Sequence, residues 1–145
     1  MKPASKHIKD LLVQEGLGTF AETASNKWSI HIGSQPDKPD NCITIYDTPG
    51  STVDKTFTGA NHLYHSTFQV RVRSKVYLTA HEQCELIRTT LDQFTTKGRT
   101  DKLLVEFDGT VYDNIAMDDE SIPLTQDEKR RHIFVVNGTA FRKDA

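Results

Sequence analysis

Eight carboxylates crowd the stretch from Leu103 to Glu128, with no lysine or arginine among them: Glu106, Asp108, Asp113, Asp118, Asp119, Glu120, Asp127 and Glu128. Acids at this density are the raw material of a divalent-cation site or of general acid–base hydrolysis. The Asp118-Asp119-Glu120 triplet lacks the spaced ligands and central glycine of an EF-hand loop, so a solvated or partner-facing acidic patch is the plainer reading. His62 and His65 straddle Leu63-Tyr64, while His7, His31, His81 and His132 are scattered. An H-x-x-H spacing at a strand entry suits neither same-face ligands two apart on a strand nor a pair four apart on a helix. Cys42 and Cys84 have no CxxC partner, and no Cys/His cluster has zinc spacing. They read as two reduced, packed thiols. A nucleophilic Cys84 activated by His81 is the sharper alternative, and it conflicts with the place of Cys84 on an apolar helix stripe. No Walker loop, no G-x-G-x-x-G after a strand and no G-x-S-x-G elbow occurs. Arg71, Arg73 and Lys75 form a basic row along a strand, but few aromatic residues interleave with them, as a single-strand nucleic-acid platform would require.

No convincing catalytic set emerges, and neither a metal nor a cofactor is expected. Charge asymmetry is present instead. Residues 62–102 hold seven Lys/Arg against four Asp/Glu, and residues 103–128 hold acids alone. One basic and one acidic surface on the same subunit can pack head to tail on copies of itself, and such contacts close into rings when the rotation permits. Arg71, Arg73 and Arg88 are the candidate subunit contacts, facing Glu82, Glu85 or the acidic segment.

The elements that position these residues follow from periodicity. Residues 4–15 read as a short amphipathic helix capped by Ser5, with Ile8, Leu11 and Leu12 on one side and Gly16 and Gly18 as the stop. Trp28, Ile30 and Ile32 alternate with polar residues as a half-buried strand. A turn-rich loop, Gly33 to Asn41, leads to a second strand, Cys42 to Tyr46, and Pro49-Gly50 suggests a type II turn with Asp47 and Thr48 fixing it. Residues 51–60 read as an exposed extension or a mobile loop between two strands. His65 to Ser74 alternates strictly, with Phe68, Val70 and Val72 on one face. Thr79 to Phe94 reads as a helix with a Thr79/Glu82 capping box and a stripe of Cys84, Ile87, Leu91 and Phe94. Strands resume at Leu103–Phe107, an Asp108-Gly109 hairpin signal, Thr110–Met117 and Arg130–Phe141. The expected fold is a single α+β domain over 1–145, a mostly antiparallel sheet with two helices packed on one face, and mobile loops near 33–41, 48–61 and 118–128.

Composition agrees with a cooperating subunit. The chain has 145 residues, a formal charge of −2 and only 36% hydrophobic residues. That is long enough for one core without disulfides, and lean enough to suggest either long solvated loops or stability shared with neighbouring subunits. No run approaches a membrane span, and the polar N-terminus has no secretory h-region. Near-neutral charge argues against a general nucleic-acid coat.

The order of motifs resembles the tail terminator and minor capsid (tail completion) proteins of long-tailed bacteriophages. Ile43, Ile45, Tyr46, Asp47, Thr48 and Gly50 match an I-x-I-Y-D-T-x-G stretch. Gln69 to Arg73 match a Q-V-R-V-R strand, and Ala80, Cys84, Ile87 and Arg88 match the helix that follows. The likeness covers residues 4–95, and beyond them only length and strand pattern are similar. Pro49, where a second glycine is common, and the long STVDKTFTGA segment depart from the pattern. The resemblance implies a virion structural protein with no catalysis and no cofactor. It implies a homo-hexameric ring that caps the tail tube, contacts the tube protein and the head connector, and lets DNA pass through its lumen without specific binding. It places the protein at the tail–neck junction, assembled in the host bacterial cytoplasm, with no membrane partner. Asp113, Asp118, Asp119 and Glu120 are the candidate lumen lining or docking loop. A neck or head-completion protein is the nearest alternative. A small metal-dependent enzyme using the acidic segment with His62 and His65, or a DNA-binding module using Arg71 and Arg73, comes from another class.

Overall fold

The computed structural model describes residues 1–20, 28–55, 62–94, 105–118 and 120–144. In chain order the elements are α1 (Ala4–Gln14), β1 (Thr19–Phe20), β2 (Ser29–Ile32), β3 (Cys42–Lys55), β4 (His62–Ser74), α2 (Tyr77–Asp92), β5 (Val105–Phe107), β6 (Thr110–Met117), β7 (Ile122–Pro123) and β8 (His132–Asp144). The strands form one curled sheet in the order β1-β2-β3-β4-β8-β6-β5, with β7 also paired to β8.

The α+β class is as expected, but the sheet is mixed. β1, β2 and β3 run parallel, and the remaining pairs are antiparallel. A parallel connection ordinarily needs a crossover of a dozen or more residues. Here the nine residues from Gly33 to Asn41 suffice, because β2 pairs only with the first four residues of β3.

Alternation divides the sheet into two faces. Ile43 and Ile45 of β3 stand opposite Val72 and Val70 of β4, and those stand opposite Phe134 and Val136 of β8. These residues, Phe68 and Ile30 form one hydrophobic cluster with Ile8, Leu11 and Leu12 of α1 and with Cys84, Ile87 and Leu91 of α2. The intervening positions of the strands point to the other side. Gly138 sits opposite Phe68, and a Cβ there would lie 2.7 Å from the Phe68 ring. Only glycine leaves room for that ring.

Several local expectations change. Pro49-Gly50 is a bulge inside β3, between the Thr48/Thr67 and Ser51/His65 pairs, and not a turn. Gly50 is needed because a side chain would strike the His65 carbonyl. β3 then continues through Lys55, where an extension had been expected. Residues 56–61, and with them the remainder of that extension, lie outside the described residues, as do Leu103, Leu104 and Asp119. α1 begins at Ala4 after Pro3, so Ser5 lies within its first turn and is not the cap. Asp47 takes the capping role from β3: its Oδ1 accepts the Ser5 backbone N–H at 2.9 Å and its Oδ2 the Ser5 hydroxyl at 2.6 Å. A carboxylate at a helix N-terminus satisfies orphan donors and suits the dipole. α2 begins two residues before the expected capping box. Val76 is its N-cap, with no side-chain cap bond. Tyr77 anchors that first turn instead, its ring edge-on to Phe134 at 4.9 Å and to His132 at 5.3 Å. The Asp108-Gly109 hairpin forms as read, both residues having positive φ, as a type I′ turn requires.

Candidate functional site

The basic row divides. Arg73, expected to meet a neighbouring subunit, is only 3% exposed. Its guanidinium donates to the backbone carbonyls of Pro39 at 2.7 Å, Asp40 at 3.3 Å and Asp37 at 3.4 Å. Arg131, 4% exposed, reaches the same loop. It donates to the Asp37 carbonyl and pairs with Asp127 at 2.7 Å, Asp37 at 3.3 Å and Asp40 at 3.4 Å. Two buried guanidiniums thus hold the 37–40 segment, with Lys129 paired to Asp37 and Lys75 to Asp40. The Lys129 ammonium, chiefly, holds the Asp37 carboxyl below its ordinary range. Buried charges persist only where paired and hydrogen-bonded, and the carbonyls and carboxylates of this loop supply the partners.

Arg71 points to the uncovered side of the sheet. Its Nε donates to Gln69 Oε1 at 2.8 Å, and Gln69 Nε2 donates to Asn137 Oδ1 at 3.1 Å. The guanidinium carbon lies 5.1 Å from the centre of the Tyr46 ring. The side chain is therefore fixed from two sides, through a chain of amides and a cation–π contact.

Arg88 and Glu85 are paired within the subunit, Nε to Oε2 at 2.9 Å. The other oxygen of Glu85 accepts the Ser121 hydroxyl at 2.8 Å and its backbone N–H at 3.1 Å. Burial pushes the Glu85 carboxyl up, but the Ser121 N–H, Arg88 and the Ser121 hydroxyl together outweigh it and hold the group at about 2. Glu82 and Glu120 are exposed, and Asp118 is exposed beside a cleft of about 500 Å³ that Glu120, Ile122 and Val135 also line. Asp113 pairs with Lys143 at 3.5 Å. The structure therefore does not gather the whole acidic segment into one site: Asp113 lies on β6, while Asp118 and Glu120 lie between β6 and β7 and line one cleft.

A family model described as bacteriophage tail terminator protein matches residues 11–140. The chain belongs to the bacteriophage tail terminator family. This makes it a structural protein of the phage tail. Among solved structures, one is 16% identical over 95% of this chain and 96% of that one, with a TM-score of 0.50. A chain in the virion of a native gene transfer agent particle is 14% identical over 78% of each, with a TM-score of 0.45. No curated protein matches.

The remaining candidates have structural surroundings in this tail terminator. Both cysteines are free and buried. Burial, with the neighbouring Glu85 charge, pushes the Cys84 thiol up to about 12, and burial raises Cys42 as well. Neither is a poised nucleophile. His81 and His65 lie against Phe134 and Phe141. Among the described residues, no three of His, Cys, Asp and Glu gather as a metal would require. Sequence reasoning missed His7, which is buried on α1. Its Nδ1 lies 2.7 Å from the Tyr112 hydroxyl. Its Nε2 lies 3.3 Å from Asp108, in a geometry that makes no hydrogen bond. Arg131 and the cap Asp47 were missed too. The partner of Asp47 is 42 residues away, and beyond the local Asp127 the contacts that make Arg131 an anchor for the 37–40 segment lie 94 residues away, so no local spacing could announce those roles.

Proposed function

We propose that this protein forms a homo-hexameric ring that ends the growing tail tube and joins it to the head connector at the tail–neck junction of the virion, assembling in the host cytoplasm. The single observation that carries this reading is the tail terminator match across residues 11–140. The protein works by contact alone, without catalysis. α1 and α2 cover one face of the sheet, since their apolar residues share a cluster with one alternating set of strand positions. The opposite face is left for neighbours. Arg71, Arg88, Glu82 and Glu85 belong to the subunit contacts, and Asp113, Asp118, Asp119 and Glu120 to the lumen or a docking loop, where like charge would keep passing DNA from adhering.

Negative-stain microscopy tests this, on the purified protein alone and mixed with tail tubes. Six-subunit rings, free or seated on tube ends, are expected. Single subunits in both samples would overturn it, and rings that bind the connector but ignore tubes would move the protein to the neck.

A further inference from the structure

Between 42–48, 65–73 and 133–141, the strand positions of β3, β4 and β8 that point away from the apolar cluster include no aspartate or glutamate. In the middle of this face stands Arg71, held at Nε by Gln69 and stacked on Tyr46. Among the described residues its two terminal nitrogens have no partner, which leaves the edge that binds a carboxylate in bidentate fashion. Its register partners on either side, Thr44 of β3 and Val135 of β8, are themselves buried, and Val135 pairs in turn with Ile122 of β7. Ile122 is 57% exposed, and Leu124, two residues on, is also exposed. The face thus offers an aliphatic strip beside a fixed cation, with Asp118 and Glu120 lining the cleft along the far side of that strip, so that Arg71 is the cation a docking carboxylate would have to reach.

The complement lies on α2. Leu78 and Leu86 are exposed, and Glu82 stands between them at four-residue intervals, all three on one side of the helix. No carboxylate partner or cation within the subunit holds Glu82 among the described residues. Cys84, Ile87 and Leu91 bury the opposite side of α2 in the cluster.

Resting on the ring reading above, we propose that the uncovered face of the sheet docks the α2 of a second copy, with Glu82 of that copy on Arg71 and its Leu78 and Leu86 on the Ile122/Leu124 strip. One fixed cation matches one carboxylate that is unpaired among the described residues, and exposed leucines match exposed aliphatic residues. Donor and acceptor surfaces lie on opposite sides of one subunit. Such a contact is heterologous, and it closes into a ring when the rotation allows.

Sedimentation of the full chain, alone and with tail tubes, tests the contact in Arg71→Glu, Glu82→Arg and the doubly exchanged variant. Each single change weakens association on the order of tenfold or more by setting like charges together, and the double exchange restores it. Leu78→Ser and Ile122→Ser, both at exposed positions, weaken it independently. Single variants that assemble like the parent, or a double exchange that restores nothing, overturn this contact while leaving the ring intact. A parent chain that stays single in every sample overturns both. Loss of duplex DNA binding in Arg71→Glu with assembly unchanged would assign the face to nucleic acid and overturn the contact as well.

Discussion

At the residue scale, three groups, the exposed Asp47, the buried His7 and the half-buried Glu85, set how this subunit responds to its surroundings. Asp47 caps α1 from a strand 42 residues away, so its loss unties a helix end and a helix–sheet contact together. Asp47→Ala should lower stability by about 1–2 kcal/mol in urea titrations, whereas Thr48→Ala should matter less. His7 is held below its ordinary value of 6.5, chiefly by burial, with Arg142 and Lys6 adding to the effect against Asp108. The unfolded chain therefore takes up a proton on this histidine before the folded one does. Stability from His7 is complete above pH 6.5 and declines as the pH falls below it. His7→Gln should flatten that part of the stability curve, as read by thermal melts at successive pH values. Glu85, at about 2 against an ordinary 4.5, acts lower on the scale. Its contribution is complete above pH 4.5 and is lost between there and about 2, releasing Ser121 from α2.

At the scale of elements, the buried guanidiniums turn a surface loop into a fixed connection. Arg131→Met should cost about 1–3 kcal/mol and should speed amide exchange in Asp37–Asn41 more than elsewhere. Gly138→Ala should cost a similar amount, about 1–3 kcal/mol, because it crowds Phe68. Phe68→Leu in the same chain should return part of it. These elements also show what the sequence could reveal. α1, the alternating β4, the stripe of α2, the Asp108-Gly109 hairpin and the bounds of β6 were all legible, because each is set by contacts within a few residues. The parallel β2–β3 pairing was not, since the connecting loop is shorter than such pairings usually need and its anchors, Arg73 and Arg131, lie far along the chain. Pro49-Gly50 misled for a related reason: a bulge and a turn ask for the same residues, and only the facing strand distinguishes them. The α2 start was misplaced because Tyr77 packing on Phe134 outweighs a capping box. Arg71 was legible as an outward residue, but Arg73, two positions on and equally outward, was not legible as buried, because the covering loop folds over that end of the face.

At the scale of the whole molecule, the lean composition noted at the outset corresponds to a sheet with a single apolar face. The cluster draws on one set of alternating positions and both helices. The other face presents hydroxyls, amides, a fixed arginine and a short aliphatic strip. Such a subunit has its own core and leaves half-buried side chains such as Arg71, Gln69 and Asn137 on the other side of the sheet, which suits a member of the tail terminator family. No helix among the described residues is long and apolar enough to cross a membrane.

The position of β8 has a consequence for synthesis. It is the last strand in the chain yet lies between β4 and β6, joining them along nearly its whole length. Until residues 132–144 leave the ribosome, the earlier strands form two separate ribbons with open edges, and α1 lacks Phe134, Val136 and Ala140 from the core it shares. A fragment ending at Arg131 should therefore show no cooperative urea transition by circular dichroism. A chain without β8 would leave the facing edges of β4 and β6 open and would lack the strand that joins the two parts of the sheet.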